Sequence, residues 1–560
     1  MRNRDWTTLA VFMVLGFMCF PAAGKADQPR AELAPLNSVY VHALAVSSSR
    51  LPSPQDITPL RQATRFFDPT LPSSYDLRET YRVTAVRIQI PILTCTLFGL
   101  YGSLESTLKP LETRDFSEKH LDESSQESNF LEANIGALAR WADPVSEEDV
   151  PWQGDGSVGV VWPAVKHVQN VVFLPPRADA ADNDRIKRAV VDLGAVYAEM
   201  DFNRDLLYAT YNSYCGVSGG NGIQGVAIVG WDDDFSLAKF NPQPVGNGAF
   251  LCKNSLGGNF GDAGYFWVSY YDASLGRNSL MAVVTAEPAV GLTQNYQYDP
   301  IGCTARLGFG SEIGWFANRF ISVSSDPLVA VSFYSYGETG LYQVFVYANP
   351  TPGLPRSGTL VSQFSGILNT PGYATVRLPA PVKIAVNENF SVVVRLRNPG
   401  NNFPIPPEHP IEGFNDDFRA APGQSYISAD GLDWSDLTTY QGTDYARTNV
   451  CLKAFAGYPP VYPPANLLVS RLVNDLVFYK EYVDQLTWST HPSNTETIAS
   501  YRIYRKVEGA GNDSYVFLAE VGATGFIYYV RGLSEDSAYT YRVTAVTASG
   551  REGDPAEVTD

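Results

Sequence analysis

Cys95 is the residue whose type and position point most directly to chemistry. It begins the stretch CTLFGLYGSLESTL, in which large apolar residues at positions 97, 101, 104 and 108 have the spacing of one face of an amphipathic helix. A helix N-terminus favours negative charge, and the thiolate is the nucleophilic form of cysteine. Such a nucleophile needs a neighbouring base, and histidine, the usual one, occurs only five times in the chain.

Composition limits the kind of fold that must position this thiol. The chain has 560 residues, room for three or four domains, and with 45% apolar and 18% charged residues it can bury large cores. Abundant Tyr, Phe, Gly and Pro favour short strands and many turns over long helices. Acidic residues outnumber basic ones 59 to 41, for a net charge of −18. The sequence therefore predicts no nucleic-acid partner.

Residues 1–26 have the features of a secretory signal peptide. Arg2 and Arg4 precede the apolar run Leu9–Phe20, and small residues that suit cleavage follow it. The run is shorter than the ~20 residues that a membrane-spanning helix needs, and no later segment is apolar enough to span. We predict a secreted chain, extracellular, at the cell surface or periplasmic, without a transmembrane segment.

The cysteine count leaves the disulfide pairing open. Beyond the predicted signal peptide the chain has five cysteines, namely Cys95, Cys215, Cys252, Cys303 and Cys451. Because five is odd, at least one thiol stays free or pairs with another chain. We interpret Cys215 and Cys252 as buried thiols or a local pair.

Four segments follow the predicted signal peptide. Residues 27–71 lack periodicity and are predicted to form a leader or extended N-terminal arm. Residues 72–287 mix a few helices with many strands, and residues 290–457 alternate as the strands of an all-β sandwich. A Pro-rich linker, GYPPVYPP, leads to a short β module at residues 465–558.

Residues 72–272 resemble the papain-like cysteine peptidases, in particular the bacterial branch with an appended lectin-like domain. The resemblance is carried by the runs LPSSYDLR (71–78), VTAVRIQ (83–89), DFSEKHL (115–121), ARWADPV (139–145), KNS (253–255) and GDAGY (261–265). It implies an α+β papain-like domain over residues 72–287 and a thiol peptidase site without cofactor or metal. It also implies that Cys95 has the nucleophile's position, Gln89 that of the oxyanion-hole residue, and Asn254 that of the residue orienting the histidine.

The same resemblance exposes a departure at the histidine position. The family's histidine lies in a run like NHAVxIVGW, and here residues 223–231 read IQGVAIVGW, with Gln224 in its place. Glutamine does not titrate, so it neither deprotonates Cys95 nor delivers a proton to a leaving amine.

The loop before the nucleophile differs from the family as well. The family's GSCGSCW corresponds to residues 90–96, IPILTCT, where Ile92 replaces a half-cystine and Leu93 a glycine that keeps the cleft open. Pro91 removes a backbone donor. Leu256 replaces the tryptophan that follows the family's asparagine. These changes together predict a retained fold with lost chemistry.

None of the five histidines is an evident substitute for the missing base. His42 lies in the leader, His409 in the β sandwich and His491 in the last module, whereas His120 and His167 belong to framework runs. A histidine outside its motif is more often structural or exposed than catalytic.

The candidate residues also have structural interpretations. Cys95 is as readily a small apolar helix residue as a reactive thiol, and Gln89 and Asn254 suit hydrogen bonds to the backbone. We interpret the acidic run 232–234 as a solvated turn in preference to a calcium site. We likewise interpret Asp430 and the glycine that follows it as a turn in preference to a ligand site.

The two later segments suggest binding rather than catalysis. Residues 290–457 resemble the lectin-like domain of the same branch, on the runs WFAN (315–318), FPIP (403–406) and GQSYIS (423–428). Trp315 and Trp434 could stack on a sugar ring, but core packing is the first expectation. Residues 465–558, with Trp488 and tyrosine-rich strands, resemble a fibronectin type III domain, which is usually a spacer or adhesive arm.

Three functional hypotheses follow. The first, which we favour because of Gln224 and the altered 90–96 loop, is a secreted, catalytically degenerate papain-like protein that binds protein or glycan. The second is an active cysteine-type endopeptidase that uses Cys95 with a non-standard base, motivated by the retained Gln89 and Asn254. The third is a lectin or adhesin that binds glycan through residues 290–457.

Overall fold

The computed structural model describes most of the chain beyond the predicted signal peptide. The described residues are 29–45, 53–55, 68–90, 94–125, 130–152, 162–216, 223–277, 279–414, 417–475, 479–510, 514–536 and 538–560. The predicted signal peptide, residues 1–26, lies outside them, as do positions 91–93 of the altered loop.

The N-terminal half contains the helices and a twisted, mostly antiparallel sheet. The helices are α1 (Ser38–Ala45), α2 (Cys95–Leu108), α3 (Glu118–Ser124), α4 (Leu131–Ala139) and α5 (Asp184–Asp192). The strands are β1 (Glu32–Leu33), β2 (Ser74–Asp76), β3 (Lys166–Leu174), β4 (Val196–Asp201), β5 (Leu207–Tyr208), β6 (Ser213–Tyr214), β7 (Ile223–Asp232), β8 (Ala249–Lys253), β9 (Tyr265–Ser269) and β10 (Met281–Pro288).

Helix α2 lies between this sheet and the other helices. Its apolar residues at positions 97, 100, 101 and 104 are fully buried in one core with side chains of α4, β3 and β10. The helix contacts β7, β10 and β4, and it begins at the residue that the apolar spacing predicts. Burial on nearly every side holds the N-terminus of α2 against β7.

The following residues form a β sandwich. Its strands are β11 (Leu292–Tyr296), β12 (Leu307–Gly308), β13 (Ile313–Ile321), β14 (Leu328–Ser335), β15 (Gly340–Ala348), β16 (Thr359–Leu368), β17 (Gly372–Val382), β18 (Asn389–Arg397), β19 (Pro407–Glu408), β20 (Ser425–Ser428), β21 (Ser435–Asp436), β22 (Asn449–Val450) and β23 (Leu452–Gly457). A six-stranded sheet in the order β16-β15-β18-β13-β20-β21 packs its apolar face against β14, β17 and β23.

One thirteen-stranded sheet runs through both halves of the chain. The connection is made where Gly372–Ala374 of β17 pairs with Asn170–Val172 of β3. Gly372 has φ +139, and a Cβ atom there would lie 1.9 Å from the carbonyl oxygen of Val171. Glycine is therefore required at this point of close strand approach.

The last segment forms a separate two-sheet module. Its strands are β24 (Ala465–Asp475), β25 (Lys480–Ser489), β26 (Ile498–Val507), β27 (Val516–Gly522), β28 (Ile527–Leu533), β29 (Tyr539–Thr547) and β30 (Glu552–Thr559). The sheets have the orders β24-β25-β28 and β27-β26-β29-β30, and Trp488, Tyr501 and Tyr541 lie in the core between them.

The N-terminal arm is more structured than the extended leader predicted for residues 27–71. It contains α1 and pairs β1 with β12 of the sandwich. Tyr40 of α1 is fully buried and packs on Phe130, which stacks on Phe414. Gln55 donates a hydrogen bond of 2.7 Å to the carbonyl oxygen of Cys303. Buried side chains therefore hold the described parts of this arm, residues 29–45 and 53–55, against the rest of the protein, and so short a stretch gives no periodic pattern that would predict this.

Candidate active site

Three elements and one loop bring the predicted site residues into one region. Gln224 is the second residue of β7, Asn254 follows the last residue of β8, and Cys95 is the first residue of α2. Gln89 precedes α2, and its backbone N–H donates a hydrogen bond of 2.9 Å to the carbonyl oxygen of Ser255. Gln89, Cys95, Gln224 and Asn254 are all buried.

Gln224 is the centre of a network of neutral groups. Its Nε2 donates to Oδ1 of Asn254 at 2.9 Å and to Oε1 of Gln89 at 3.2 Å. The hydroxyl of Ser255 donates to the same oxygen of Gln89 at 2.5 Å. Sequence reasoning missed this contribution of Ser255, although the KNS run places it beside Asn254. Amide and hydroxyl groups do not change charge near neutral pH, so this network can position a ligand but cannot exchange a proton with it.

Cys95 takes a different hydrogen-bond partner from the network. Its thiol donates to the carbonyl oxygen of Ile223, with Sγ and O 3.6 Å apart, and the residue is 1% exposed. Gly225 permits the close approach of α2 and β7, because a Cβ atom there would lie 2.7 Å from the carbonyl oxygen of Cys95. The hydrogen-bond acceptor of this thiol is thus a backbone carbonyl rather than a side-chain base.

The five histidines lie in described parts of the chain and have other surroundings. Nδ1 of His120 lies 2.9 Å from Oδ1 of Asp143, an oxygen that also accepts the hydroxyl of Tyr101. His167 stacks on Trp141, and burial lowers the pKa of His167 to about 3.

The other three histidines lie on elements outside the site. His409 lies with its ring beside the hydroxyl of Thr448, His491 stacks on Tyr462, and His42 lies on α1. None of the hydrogen bonds found for the histidines within the described residues goes to Cys95.

An ionic layer lies beneath the amide network and was not foreseen from the sequence. Arg87 lies 3.7 Å from a carboxylate oxygen of Glu118 and 3.6 Å from one of Glu147. Burial raises the pKa of Glu118 to about 8 despite the opposing field of Arg87. Lys253 is half-buried and donates to the hydroxyl of Thr84 at 2.9 Å. Arg87, Glu118 and Lys253 line a cavity of about 10 Å³, too small for a peptide side chain, so the layer supports the site from below.

The aromatic candidates of the sandwich belong to its packing. Trp315 is 9% exposed, and Gly431, at φ +76, comes so close that a Cβ atom would lie 2.7 Å from the ring. The guanidinium of Arg356 lies 4.8 Å from the ring centroid. Oδ1 of Asp430 accepts backbone N–H groups of Leu432 and of the next residue, which makes the Asp-Gly pair a turn. Trp434 packs against the same cluster.

The acidic run 232–234 is also part of a turn. Oδ1 of Asp232 accepts the backbone N–H of Asp234 at 2.9 Å, and Asp233 pairs with Lys187 at 2.6 Å. Within the described residues no group of three or more His, Cys, Asp or Glu side chains is arranged to hold a metal ion.

The five cysteines of the described part are all buried and free of disulfides, including Cys215 and Cys252. None of the described helices has the length and apolar character needed to cross a membrane.

Comparisons with known families identify two regions of the chain. The papain family cysteine protease profile matches residues 71–284, and the lectin-like domain profile matches residues 295–456. A search of curated proteins gives no match. These matches confirm the predicted resemblance over both regions.

Two solved structures have the same fold. The cysteine protease and lectin-like domains of Cwp84, a surface layer associated protein of Clostridium difficile, align with TM-score 0.65 at 23% identity, covering 77% of this chain and 98% of that one. A clostridial cysteine protease Cwp84 after propeptide cleavage aligns with TM-score 0.60 at 24% identity, covering 69% and 100%. The predicted fold class, a papain-like α+β domain followed by β domains, is confirmed.

Proposed function

The chain belongs to the papain family of cysteine proteases through residues 71–284, with a lectin-like domain at residues 295–456, and from this we propose that it is a catalytically degenerate member that works by binding. The ligand is a peptide or protein segment held in the cleft beside α2. The observation that carries the proposal is the hydrogen bond of 2.9 Å from Nε2 of Gln224 to Oδ1 of Asn254.

That hydrogen bond supports the loss of acid–base chemistry. In the family mechanism, an imidazole oriented by the asparagine removes the thiol proton and later protonates the leaving amine. Here Gln224 makes the contact to Asn254 and supplies an amide, which does neither. The thiol of Cys95 donates instead to the carbonyl of Ile223. Without a general acid the amine of a peptide bond would have to leave as an anion, which is prohibitively unfavourable in water.

What remains of the site is suited to recognition. Gln89 and Ser255 retain polar groups beside α2, and their orientation is fixed by mutual hydrogen bonds. A peptide backbone presents alternating donors and acceptors that amide side chains can match. We therefore propose recognition of an extended peptide that the protein leaves intact.

The location and the remaining segments belong to the same proposal. The predicted signal peptide, residues 1–26, supports secretion, and Cwp84 is a surface layer associated protein. We propose a position outside the cytoplasm, with glycan binding by residues 290–457 as a second contact. The three- and four-stranded sheets of residues 465–558, packed around Trp488, support a fibronectin type III-like module.

An active endopeptidase remains the second candidate. It is favoured by one observation, the convergence of Gln89, Cys95 and Asn254 in one region. It would require a base other than the five histidines, none of which is hydrogen-bonded to Cys95 in the described part of the chain.

The proposal is tested by peptide capture. The immobilised parent chain and Cys95→Ala are incubated with a random decapeptide library, and the retained peptides are identified by mass spectrometry. We expect both to retain the same peptides, uncleaved. The double variant Gln89→Ala/Gln224→Ala should lose them, and the exposed-site control Arg419→Ala should keep them, with thermal unfolding verifying that each variant is folded. Cleaved peptides that require Cys95, or no retention by the parent, would contradict the proposal.

A further inference from the structure

Three ionisable side chains meet in the interior of the sandwich. Lys453 of β23 is 1% exposed, and Asp299, which follows β11, and Glu408 of β19 are fully buried. Nζ of Lys453 lies 2.6 Å from Oδ2 of Asp299 and donates to Oε1 of Gln297 at 2.6 Å. Charged side chains are rarely buried so completely, because removing them from water is costly even when they are paired.

The carboxyl of Glu408 carries a proton beside this pair. Burial and the field of Asp299 raise the pKa of Glu408 to about 8 against the opposing field of Lys453, so the group is mostly protonated at neutral pH. Its Oε1 accepts the backbone N–H of Ile301 at 2.6 Å, and its Oε2 has no hydrogen-bond partner among the described residues. The same holds for Oδ1 of Asp299. Glu408 is therefore placed to donate a proton to Asp299.

The pair of Lys453 and Asp299 is one that burial makes reactive. Burial raises the pKa of Asp299 against the effects of Lys453 and of the neighbouring thiol of Cys451. Because ionised groups are disfavoured away from water, transfer of a proton from Nζ to Oδ2 gives a neutral amine beside a neutral carboxylic acid. A neutral amine is a nucleophile, and the carbon that it would attack is bonded to the oxygen 2.6 Å away.

We propose that Lys453 and Asp299 form an intramolecular amide bond, with Glu408 transferring the protons of the reaction. Nζ of Lys453 attacks Cγ of Asp299, and a C–N bond forms. Glu408 donates its proton to the departing hydroxyl group, whose C–O bond breaks, and takes a proton back from the nitrogen. One ammonium and one carboxylate are thus converted into one amide and one water molecule. Atoms and charges balance, and no other reagent is required.

Two other lysines lie equally close to a carboxylate but lack the third group. Lys166 lies 2.7 Å from Glu112, yet nearby cations hold the pKa of Glu112 below its ordinary value despite burial, so this carboxylate stays ionised. Lys187 lies 2.6 Å from Asp233, whose side chain is 37% exposed, so water stabilises the charge of the carboxylate. The pair at Lys453 differs from both in having a buried, protonated carboxyl beside it.

The amide would join the two ends of the lectin-like domain. Asp299 lies between β11 and β12, and Lys453 lies in β23, the last strand of the sandwich, 154 positions later. Strands β12 to β22 would therefore lie within one covalently closed loop. Closing so long a loop reduces the conformational entropy of the unfolded chain and stabilises the folded domain. This suits the position outside the cytoplasm that we propose above, and it does not depend on the ligand of the cleft.

The intact mass of the denatured full chain tests the proposal. The parent should be lighter than its sequence mass by one water molecule, whereas Lys453→Arg, which keeps the positive charge but cannot form this amide, should have its full sequence mass. Glu408→Gln, which cannot transfer the protons, should also have its full mass. The matched control Lys187→Met removes the lysine of another 2.6 Å pair and should lose water as the parent does.

Tryptic digestion of the parent locates the bond without relying on the folding of any variant. Positions 299 and 453 should be recovered in one branched peptide, which is identified by fragmentation. Thermal unfolding verifies that the variants fold, and the parent should unfold several degrees above Lys453→Arg. A parent of full sequence mass, a water loss that persists in Lys453→Arg, or a branched peptide that joins other residues overturns the proposal. A water loss that persists in Glu408→Gln overturns its assignment as the group that transfers the protons.

Discussion

Replacement of Lys166 should separate the last module from the protease domain. Lys166, the first residue of β3, is fully buried, and its ammonium lies 2.7 Å from Oε2 of Glu112 and 3.2 Å from Oδ2 of Asp554 in β30. Burial disfavours the charged form of Glu112, but Lys166 and Arg114 outweigh it and hold its pKa below the ordinary value. One lysine thus compensates a carboxylate on each side of the interface.

The loss of docking free energy in the variant depends on which of the two buried carboxylates, Glu112 and Asp554, keeps a cation nearby. In Lys166→Met, Glu112 keeps Arg114 at 3.2 Å, whereas Asp554 loses its ion pair with Lys166 and keeps the more distant field of Arg114, which donates to the carbonyl oxygen of Pro555 at 3.0 Å. Leaving a buried charge without its partner costs about 3–5 kcal/mol, equivalent to roughly a 150- to 5,000-fold larger population of the undocked state, and the remaining field of Arg114 favours the lower end of this range. The double variant Lys166→Met/Asp554→Asn removes the stranded charge and should recover most of this loss.

Hydrogen exchange measures this docking equilibrium directly. Amides of β30 and of residues 110–114 should exchange at least about 100-fold faster in Lys166→Met at neutral pH, and close to parental rates in the double variant. Lys480→Met, at an exposed position of the same module, serves as the matched control. Unchanged exchange in Lys166→Met, or no recovery in the double variant, would refute the assignment of Lys166 as a main contributor to this docking, beside the contacts of Arg114 with Pro555 and of Lys506 with Glu148.

Three further predictions concern stability. Burial and the field of Asp299 raise the pKa of Glu408 to about 8. The protonated carboxyl of Glu408 therefore stabilises the folded state fully below pH 4.5, and this stabilisation is lost as the pH rises through 8. In denaturant titrations at several pH values, the free energy of unfolding of Glu408→Gln should therefore fall less between pH 4.5 and 9 than that of the parent, with a difference of no more than about 5 kcal/mol. Gly372→Ala should break the β17–β3 pairing, visible as faster exchange of both strands; parental protection there would contradict the required close approach. Tyr40→Ala should cost about 3–5 kcal/mol and expose the arm to proteolysis, and an arm that stays protected would show that this anchor is dispensable.

Local sequence patterns were sufficient to predict the helix and the strand of the site region. Helix α2 begins at Cys95 because its apolar spacing is strict, and the run around Gln224 forms a strand because it is almost wholly apolar. The hydrogen bond from Gln224 to Asn254 joins residues 30 positions apart, and the resemblance rather than any periodicity suggested that they meet. The functional assignments of Cys95, Gln89, Gln224 and Asn254 remain predictions.

Long-range features were beyond local patterns. The pairing of β17 with β3 depends on Gly372 meeting a strand about 200 residues earlier in the chain, and no local signal encodes that partner. Lys166 and Glu132 look like ordinary surface charges in the sequence, since burial of a charged residue depends on what packs over it. For the same reason, the ion pair between Asp554, in the module predicted to be a spacer or adhesive arm, and Lys166 was not foreseen.

The most direct test of the central claim is the hydrolysis of a quenched peptide library between acid and neutral pH. The mature parent chain is compared with Cys95→Ala and with Gln224→His, which restores an imidazole beside Asn254. The account predicts no turnover by the parent beyond that of Cys95→Ala. Turnover by the parent that disappears in Cys95→Ala would contradict it and identify a working peptidase with an unrecognised base.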